Sequence, residues 1–462
     1  MEIPGEKCGV FGVFGKDLEA ARLTFFGLYG LQHRGQESSG IAVSNGKKIS
    51  RHVGMGLVAQ VYTEKDIEKL SGHAAIGHNR YSTIGGSLIQ HGQPIITHNR
   101  RLALAHNGNL PSTKLLERFL KSRRKRTKGI SDSRMIAEAI GCYMEDGLSI
   151  EKATAKTFPL MTGAFAILIL TKDKMIALRD SHGVRPLSLA RLNGGHIFSS
   201  ETCALHPVGA RFIRDVKPGE MVVVDKKGVH SYRLAKGREQ LDIFEFVYFS
   251  RPDSKLLGKS VYEVRHKAGA QLARESSVKA DLVIPVPETA IPVALGYAEE
   301  SGIPFEMALI KNRYIHRTFI APEQHIREQG VKLKLTPIPE MIRGKRVAVI
   351  DDSVVRGTTS KQLVAMLFEA GAKQVHFLSA SPPVKFPDFY GIDTPNQKNL
   401  LAASHSIEAM RSFLGATSLH FLSLKGLIKA IGVPRSRLCT SCFTGEYPID
   451  LLERAKEVNH EV

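Results

Sequence analysis

Five residues in the first third of the chain have types that suit one chemistry: Cys8, Arg80, Asn107, Gly108 and Asp132. A cysteine thiolate is a nucleophile, although Cys8 alone, at the head of CGVFGVFG, also reads as a small buried apolar residue. GHNRYST (77–83) offers Arg80, whose guanidinium can grip a carboxylate through two parallel hydrogen bonds. HNGN (106–109) places the Asn107 amide beside the Gly108 backbone N–H. Two such adjacent donors are what a tetrahedral oxyanion requires. SDS (131–133) offers Asp132, an anion suited to an α-ammonium group. Together these groups would hold an amino acid and stabilise a tetrahedral intermediate at its side chain.

A second constellation lies in VAVIDDSVVRGTTS (347–360). Four apolar residues end in Asp351 and Asp352, and a loop carrying Ser353, Arg356, Gly357, Thr358, Thr359 and Ser360 opens a helix. Carboxylates at a strand's C-terminal end can accept hydrogen bonds from a sugar diol or sit near Mg²⁺. Backbone N–H groups at a helix N-terminus, with Thr and Ser hydroxyls, form an anion site. Ligands of parallel sheets bind at this end of the strands. A bare Asp-Asp pair would be only an acidic turn; the whole string says more.

Positioning these groups requires two different scaffolds. In the first half, strand-like runs (8–15, 39–44, 73–78, 102–106, 164–170, 175–180, 221–225) mix with helical spacing over 17–30, 112–121, 133–145 and 150–159. That mixture predicts a layered α+β domain. After residue 240 strands alternate with helices: 280–287, then 290–300, 345–352, 358–371 and 373–380. This rhythm predicts βαβ units on a mainly parallel sheet. The boundary falls in the polar stretch RLAKGREQ, and the basic segment 311–345 is too irregular to assign.

Composition fits this plan. The 462 residues allow two to three domains at roughly 150 residues each. With 43% hydrophobic and 24% charged residues the chain is globular, not disordered. The formal charge of +19 calls for a polyanionic partner: nucleic acid, an anionic membrane surface or a phosphate-rich small molecule. No apolar run reaches the roughly 18–20 residues of a membrane span, and MEIPGEK has no signal-like core, so the expectation is a soluble cytoplasmic protein without a membrane partner. KSRRKRTK (121–128) lacks interleaved aromatics and reads as a solvated loop. No helix-turn-helix is legible, so no nucleic-acid partner is expected. Five cysteines, few and odd in number, argue against a disulfide framework.

CGVFGVFG, QHRGQESSGIA (32–42), GHNRYST, LAHNGNL and SDS resemble the N-terminal-nucleophile glutaminase domain of class II amidotransferases. The resemblance implies an αββα domain over 8–240 in which Cys8 attacks a glutamine amide and its own α-amino group serves as base. Residues 1–7 would then be a propeptide, because a peptide nitrogen cannot take the proton that a free amine of pKa about 7.7–8.0 can. The second string resembles the phosphoribosyl pyrophosphate (PRPP) motif of type I phosphoribosyltransferases, implying an α/β domain over 241–462 with a C-terminal helical tail. It implies Asp351 and Asp352 at ribose hydroxyls and Mg²⁺, Thr289 of PVPETA near the metal, and the 353–360 loop around the 5′-phosphate. It also implies that Lys311, Arg313 and Arg317 of KNRYIHRTFI face phosphates within a segment that closes over PRPP.

Both halves in one order, with YFSRPDS (248–254) and FYGID (389–393), resemble the glutamine-dependent PRPP amidotransferases. That family implies production of 5-phosphoribosylamine, pyrophosphate and glutamate from glutamine, PRPP and water at the first committed step of purine synthesis. It also implies a homo-oligomer, a tetramer, inhibited by purine nucleotides. The chain departs from the family at a metal site: where many members hold a 4Fe–4S cluster on four cysteines, it has Asp242, Asp388, Cys439 and Cys442. Clusters are usually held by four thiolates. A cluster with altered properties, zinc and a leftover pair in a clusterless branch are the open readings. His316 stands where the family loop generally has Gly. Cys142 reads as core, and Cys203 has no partner legible in the sequence.

Overall fold

Residues 8–81, 89–312, 334–391 and 396–460 are described in the computed structural model. The first half is built on two antiparallel sheets. The chain lays down β1 (Gly9–Gly15), β2 (Ser38–Ser44), β3 (Ile49–Met55) and β4 (Ala74–Arg80). It continues with β5 (Ile95–Thr97), β6 (Leu102–Ser112), β7 (Thr162–Leu170) and β8 (Met175–Arg179). It then returns with β9 (Ser188–Leu192), β10 (Gly195–Ser199), β11 (Arg211–Asp215), β12 (Glu220–Asp225) and β13 (Gly228–Arg233). A seven-stranded sheet has the order β11-β9-β10-β1-β4-β2-β3, and a six-stranded sheet β13-β12-β8-β7-β6-β5.

Alternation along the strands makes four layers. Val10 and Phe14 of β1 enter the core between the sheets with Ala103, Ala105, Leu168 and Leu170. Phe11 and Val13 turn the other way, onto the helix Ala20–Gly30. Phe165, Ile167 and Ile169 of β7 face the helix Asp132–Glu145 through Met135, Ile136 and Ile140. Both faces of the central strands are therefore covered, which is why CGVFGVFG reads as an unbroken apolar run instead of alternating. The result is the expected αββα sandwich. Six strands escape the sequence reading (49–55, 95–97, 188–192, 195–199, 211–215 and 228–233). β3, β5, β11 and β13 are the outermost strands of their sheets and carry mixed or polar sequences. The β9–β10 hairpin did carry a signal, Asn193-Gly194, with Gly194 at φ +82°.

In the second half, strands 282–285, 346–351, 374–379 and 418–421 lie parallel in that order. Ala348 and Ile350 face the helices Val261–Glu275 and Ile291–Ser301, while Val347 and Val349 face Thr358–Glu369 and Ile407–Leu414. The five elements read from the sequence each lie within two residues of their observed bounds, whereas the strand 418–421 and the helices Val261–Glu275 and Ile407–Leu414 escape that reading. The chain then forms the helix Leu424–Ile431 and returns to the sandwich, where Glu453 accepts a hydrogen bond from Ser112 Oγ at 2.9 Å. Leu241–Asp242 pairs in parallel with Leu438–Cys439, closing the C-terminal segment onto the junction of the two halves.

Candidate active sites

Cys8 is half-buried and immediately precedes β1, whose Gly9 pairs with Asn79 of β4. Antiparallel register therefore sets Cys8 beside the Arg80 end of β4. The Arg80 guanidinium donates to Glu37 Oε1 at 2.8 Å, and both side chains are nearly buried. From the facing sheet, β6 brings Asn107 and Gly108, and His78 Nε2 bonds to the His106 carbonyl at 3.0 Å, tying β4 to β6. Asn107 is buried and its Nδ2 has no hydrogen-bond partner among the described residues. Gly108 sits at φ +144°, and a Cβ there would lie 2.0 Å from the Ala164 carbonyl oxygen, so only glycine fits. Asp132 is the first residue of the helix Asp132–Glu145, capped by Ser131, and accepts from Ser133 N at 2.6 Å. Its other oxygen lies 3.4 Å from Leu110 N and 3.8 Å from His106 Nδ1. Burial pushes His78 down to about 3 and lowers His106, so these imidazoles form a neutral wall at neutral pH. The structure thus gathers all five sequence-predicted groups at one end of the sandwich.

Three residues that sequence reasoning missed complete this end. Glu37 holds Arg80. Arg34 Nε donates to the Cys8 carbonyl at 3.1 Å. Glu201, fully buried, accepts from Arg34, from Arg251 N at 2.9 Å and from Ser254 Oγ at 2.7 Å, and meets His33 at 2.7 Å. A signal existed for the first two, since both lie inside QHRGQESS. Nothing in SSETCAL marked Glu201. Glu201 also lies 3.6 Å from Cys203 Sγ, and with His33 this is the one three-residue group among the described residues close enough to hold a single metal ion. Arg34 already occupies that carboxylate.

The second constellation surrounds a cavity of about 130 Å³ at the C-terminal end of the parallel strands. Thr289, Lys311, Asp351, Asp352, Ser353, Arg356, Gly357, Thr358, Thr359 and Ser360 all line it, joined by Tyr248 and Glu288, which were not foreseen. Arg313, Arg317 and His316 lie outside the described residues, as do residues 1–7. Asp352 accepts from Thr289 Oγ1 at 2.5 Å and from Ser353 Oγ at 2.7 Å. Burial and the neighbouring Asp352 push the Asp351 carboxyl well above its usual range. A crowded carboxylate pair beside a hydroxyl is a hard-oxygen donor set that suits a divalent cation. Gly357, at φ +76°, turns the chain into the helix Thr358–Glu369, whose first three residues line the cavity.

Asp242, Asp388, Cys439 and Cys442 are buried at the junction of the two halves. Among them stands the buried Arg185 guanidinium, 3.3 Å from Asp242, 3.9 Å from Asp388 and 3.5 Å from Glu245. Burial raises the Asp242 carboxyl to about 8 against the pull of Arg185, and burial raises both thiols. Cys439 Sγ lies 3.3 Å from Ser441 Oγ. An iron–sulfur cluster asks for four anionic donors, preferably thiolates. Here the Arg185 guanidinium stands among the four residues, and no three of the four approach as a single-ion shell. The Arg185 cation among these side chains works against a metal ion there.

Comparison with known proteins places this arrangement. A glutamine amidotransferase domain model matches residues 78–207, a span holding Arg80, Asn107, Gly108 and Asp132. The amidophosphoribosyltransferase of Mycobacterium tuberculosis is 46% identical over 468 residues, covering 98% of this chain and 88% of that protein. The chain belongs to the amidophosphoribosyltransferase family. The Bacillus subtilis amidophosphoribosyltransferase is 43% identical, with 98% of this chain and 96% of that protein covered. A solved structure of the allosteric regulatory enzyme of purine biosynthesis superposes with a TM-score of 0.91 at 42% identity, over 97% of each chain. The glutamine PRPP amidotransferase from Bacillus subtilis, complexed with ADP and GMP, gives 0.90 at 42% identity, over 96% and 98%. Such coverage spans both the sandwich and the parallel sheet, so the amidophosphoribosyltransferase architecture extends over nearly the whole chain.

Proposed function

We propose that this amidophosphoribosyltransferase converts glutamine, PRPP and water into 5-phosphoribosylamine, pyrophosphate and glutamate, the first committed step of purine synthesis, through two sites in one chain. The observation that carries the reading is their joint presence: an Asn107 Nδ2 without an acceptor among the described residues, in the same sandwich as the Cys8 strand end, and the carboxylate–hydroxyl cradle at 351–360. Arg80, held by Glu37, takes the glutamine α-carboxylate, and Asp132 takes its α-ammonium group. The Cys8 thiol gives its proton to its own α-amino group, free once residues 1–7 are removed, and its sulfur attacks the side-chain amide carbon. Asn107 Nδ2 and Gly108 N–H hold the oxyanion. The C–N bond breaks, ammonia leaves with the proton, and water then cleaves the thioester to give glutamate.

Ammonia passes within the protein to C1 of PRPP and displaces pyrophosphate, out of reach of bulk water. The 353–360 loop holds the 5′-phosphate, Asp351 and Asp352 the ribose hydroxyls, and Lys311 with Arg313 and Arg317 the pyrophosphate. Asp351, Asp352 and Thr289 would hold Mg²⁺, which when bound would supply charge neutralisation for the pyrophosphate leaving group. The domain limits 8–240 and 241–462, a tetrameric assembly, a cytoplasmic location and inhibition by purine nucleotides belong to the same reading. The last is supported by the ADP and GMP on the Bacillus subtilis relative. No described helix is long and apolar enough to cross a membrane. We assign neither a cluster nor zinc to Asp242, Asp388, Cys439 and Cys442. The test is glutamate release with and without PRPP and Mg²⁺, after intact mass shows Cys8 as the first residue. Strong stimulation by PRPP is the expected result; release indifferent to PRPP overturns the reading.

A further inference from the structure

The Cys8 carbonyl is held by a group that answers to the other half of the molecule. Arg34 is fully buried, and its Nε donates to that carbonyl at 3.1 Å. Its two terminal nitrogens grip Glu245, at 2.7 and 3.1 Å, and one also reaches Glu201. Such a fork fixes the plane of the guanidinium, so the direction of Nε follows from where the two carboxylates stand. Neither carboxylate is free to swing. Glu201 accepts from Arg251 N and Ser254 Oγ, both beyond the sandwich, and Glu245 accepts from Ser250 Oγ at 2.7 Å. Glu245 opens the five-residue turn Glu245–Phe249, whose Tyr248 lines the 351–360 cavity. Arg265, from the helix Val261–Glu275, clamps the turn by donating to the Phe246 and Ser250 carbonyls at 2.8 Å. On the other side, a Cβ at Gly35 would lie 2.8 Å from the Arg80 backbone, so the chain at Arg34 is pressed against the strand that presents Arg80.

We propose that Arg34 is a positioning residue for Cys8 and that Glu245 holds it in place, so the glutamine site is aligned only when the turn at the cradle's edge is docked. A buried guanidinium with a carboxylate partner removed is strongly unfavourable, and the cation would move toward whatever acceptor remains. Displacement of the Glu245–Phe249 turn would therefore draw Arg34 off the Cys8 carbonyl and let the nucleophile's backbone shift. This rests on the glutaminase reading of Cys8.

The experiment uses the full-length, processed protein in three forms: wild type, Glu245→Gln and Arg34→Lys. Glu245→Gln keeps the shape and loses the charge. Arg34→Lys keeps the charge but cannot reach Glu201, Glu245 and the Cys8 carbonyl together. Glutamine hydrolysis is followed with and without PRPP, alongside ammonia-dependent synthesis from PRPP and the pH dependence of Cys8 alkylation by iodoacetamide. The expected result is a PRPP stimulation of hydrolysis reduced roughly tenfold in both variants, with ammonia-dependent synthesis within about twofold of wild type. The alkylation midpoint should shift in both. Glu245→Asp, which restores the charge, should recover part of the stimulation. Variants that keep wild-type stimulation and midpoint overturn the proposal while leaving the glutaminase reading intact. A uniform loss of both activities, with the midpoint unmoved, also overturns it by marking a purely structural role. Wild-type protein that does not hydrolyse glutamine overturns the glutaminase reading, and this inference with it.

Discussion

Asn107 Nδ2 is a buried donor with no acceptor among the described residues. In a folded interior such an orphan costs stability, on the order of 1–3 kcal/mol, unless a ligand takes the bond. Asn107→Ala should therefore lower kcat for glutamine hydrolysis by about 10²–10³-fold, the scale of a lost oxyanion donor, with little change in KM; steady-state glutamate release checks this. Gly108→Ala should fail more completely, because its Cβ meets the Ala164 carbonyl at 2.0 Å and β6 cannot pair with β7 unchanged. His78 carries a pH dependence. Burial depresses it to about 3, well below its unfolded value near 6.5. The unfolded chain then binds a proton that the native chain refuses, so stability is full above pH 6.5 and falls as pH drops toward 3. The slope from this one group approaches about 1.4 kcal/mol per pH unit. Urea titrations across that window should show a shallower slope in His78→Gln.

At the scale of elements, the decisive features are where strands end and helices begin. The strand 346–351 delivers its two carboxylates at the one end of a parallel sheet that helices leave open. Gly357 lets the loop turn left-handed into the helix Thr358–Glu369, and a Cβ there would lie 2.6 Å from Leu401 Cδ2. Gly357→Ala should cost about 1–3 kcal/mol of local strain and raise KM for PRPP in the ammonia-dependent assay by roughly tenfold. Most of these elements were legible. VAVIDD and AFAILIL announce buried strands, and the helix at 132–145 was foreseen to within one residue of its start. Outer strands were not, because a strand such as RFIRD, with three of its five residues exposed, has no apolar period to read.

Over the whole molecule, the junction of the two halves is an ionic core. Arg34, Arg185, Glu201 and Glu245 are all essentially buried there, with Asp242 and Asp388 beside them. Breaking such a set by removing one partner leaves charge without compensation. Arg185→Met should destabilise the protein by about 3–5 kcal/mol in urea unfolding. With the Arg185 guanidinium among Asp242, Glu245 and Asp388, purified protein should contain no iron, sulfide or zinc, and dialysis against EDTA should leave its melting temperature unchanged; elemental analysis and a thermal scan decide both.

The sequence by itself determined which residues are proposed for each site. Cys8, Arg80, Asn107, Gly108 and Asp132 form one set, and Asp351 through Ser360 the other, because nucleophile, oxyanion donors and phosphate cradle each demand particular residue types at short, local spacing. Tertiary structure alone decided what stands behind them. Arg34 touches Glu245 across 211 residues, Glu37 meets Arg80 across 43, and Arg185 lies near Asp388 from a distant part of the chain. Charged residues of these types are ordinarily solvated, and only burial of both partners at one junction turns them into fixed supports. Periodicity and motif spacing report local geometry, whereas a salt bridge between distant segments exists only once the fold has removed its water.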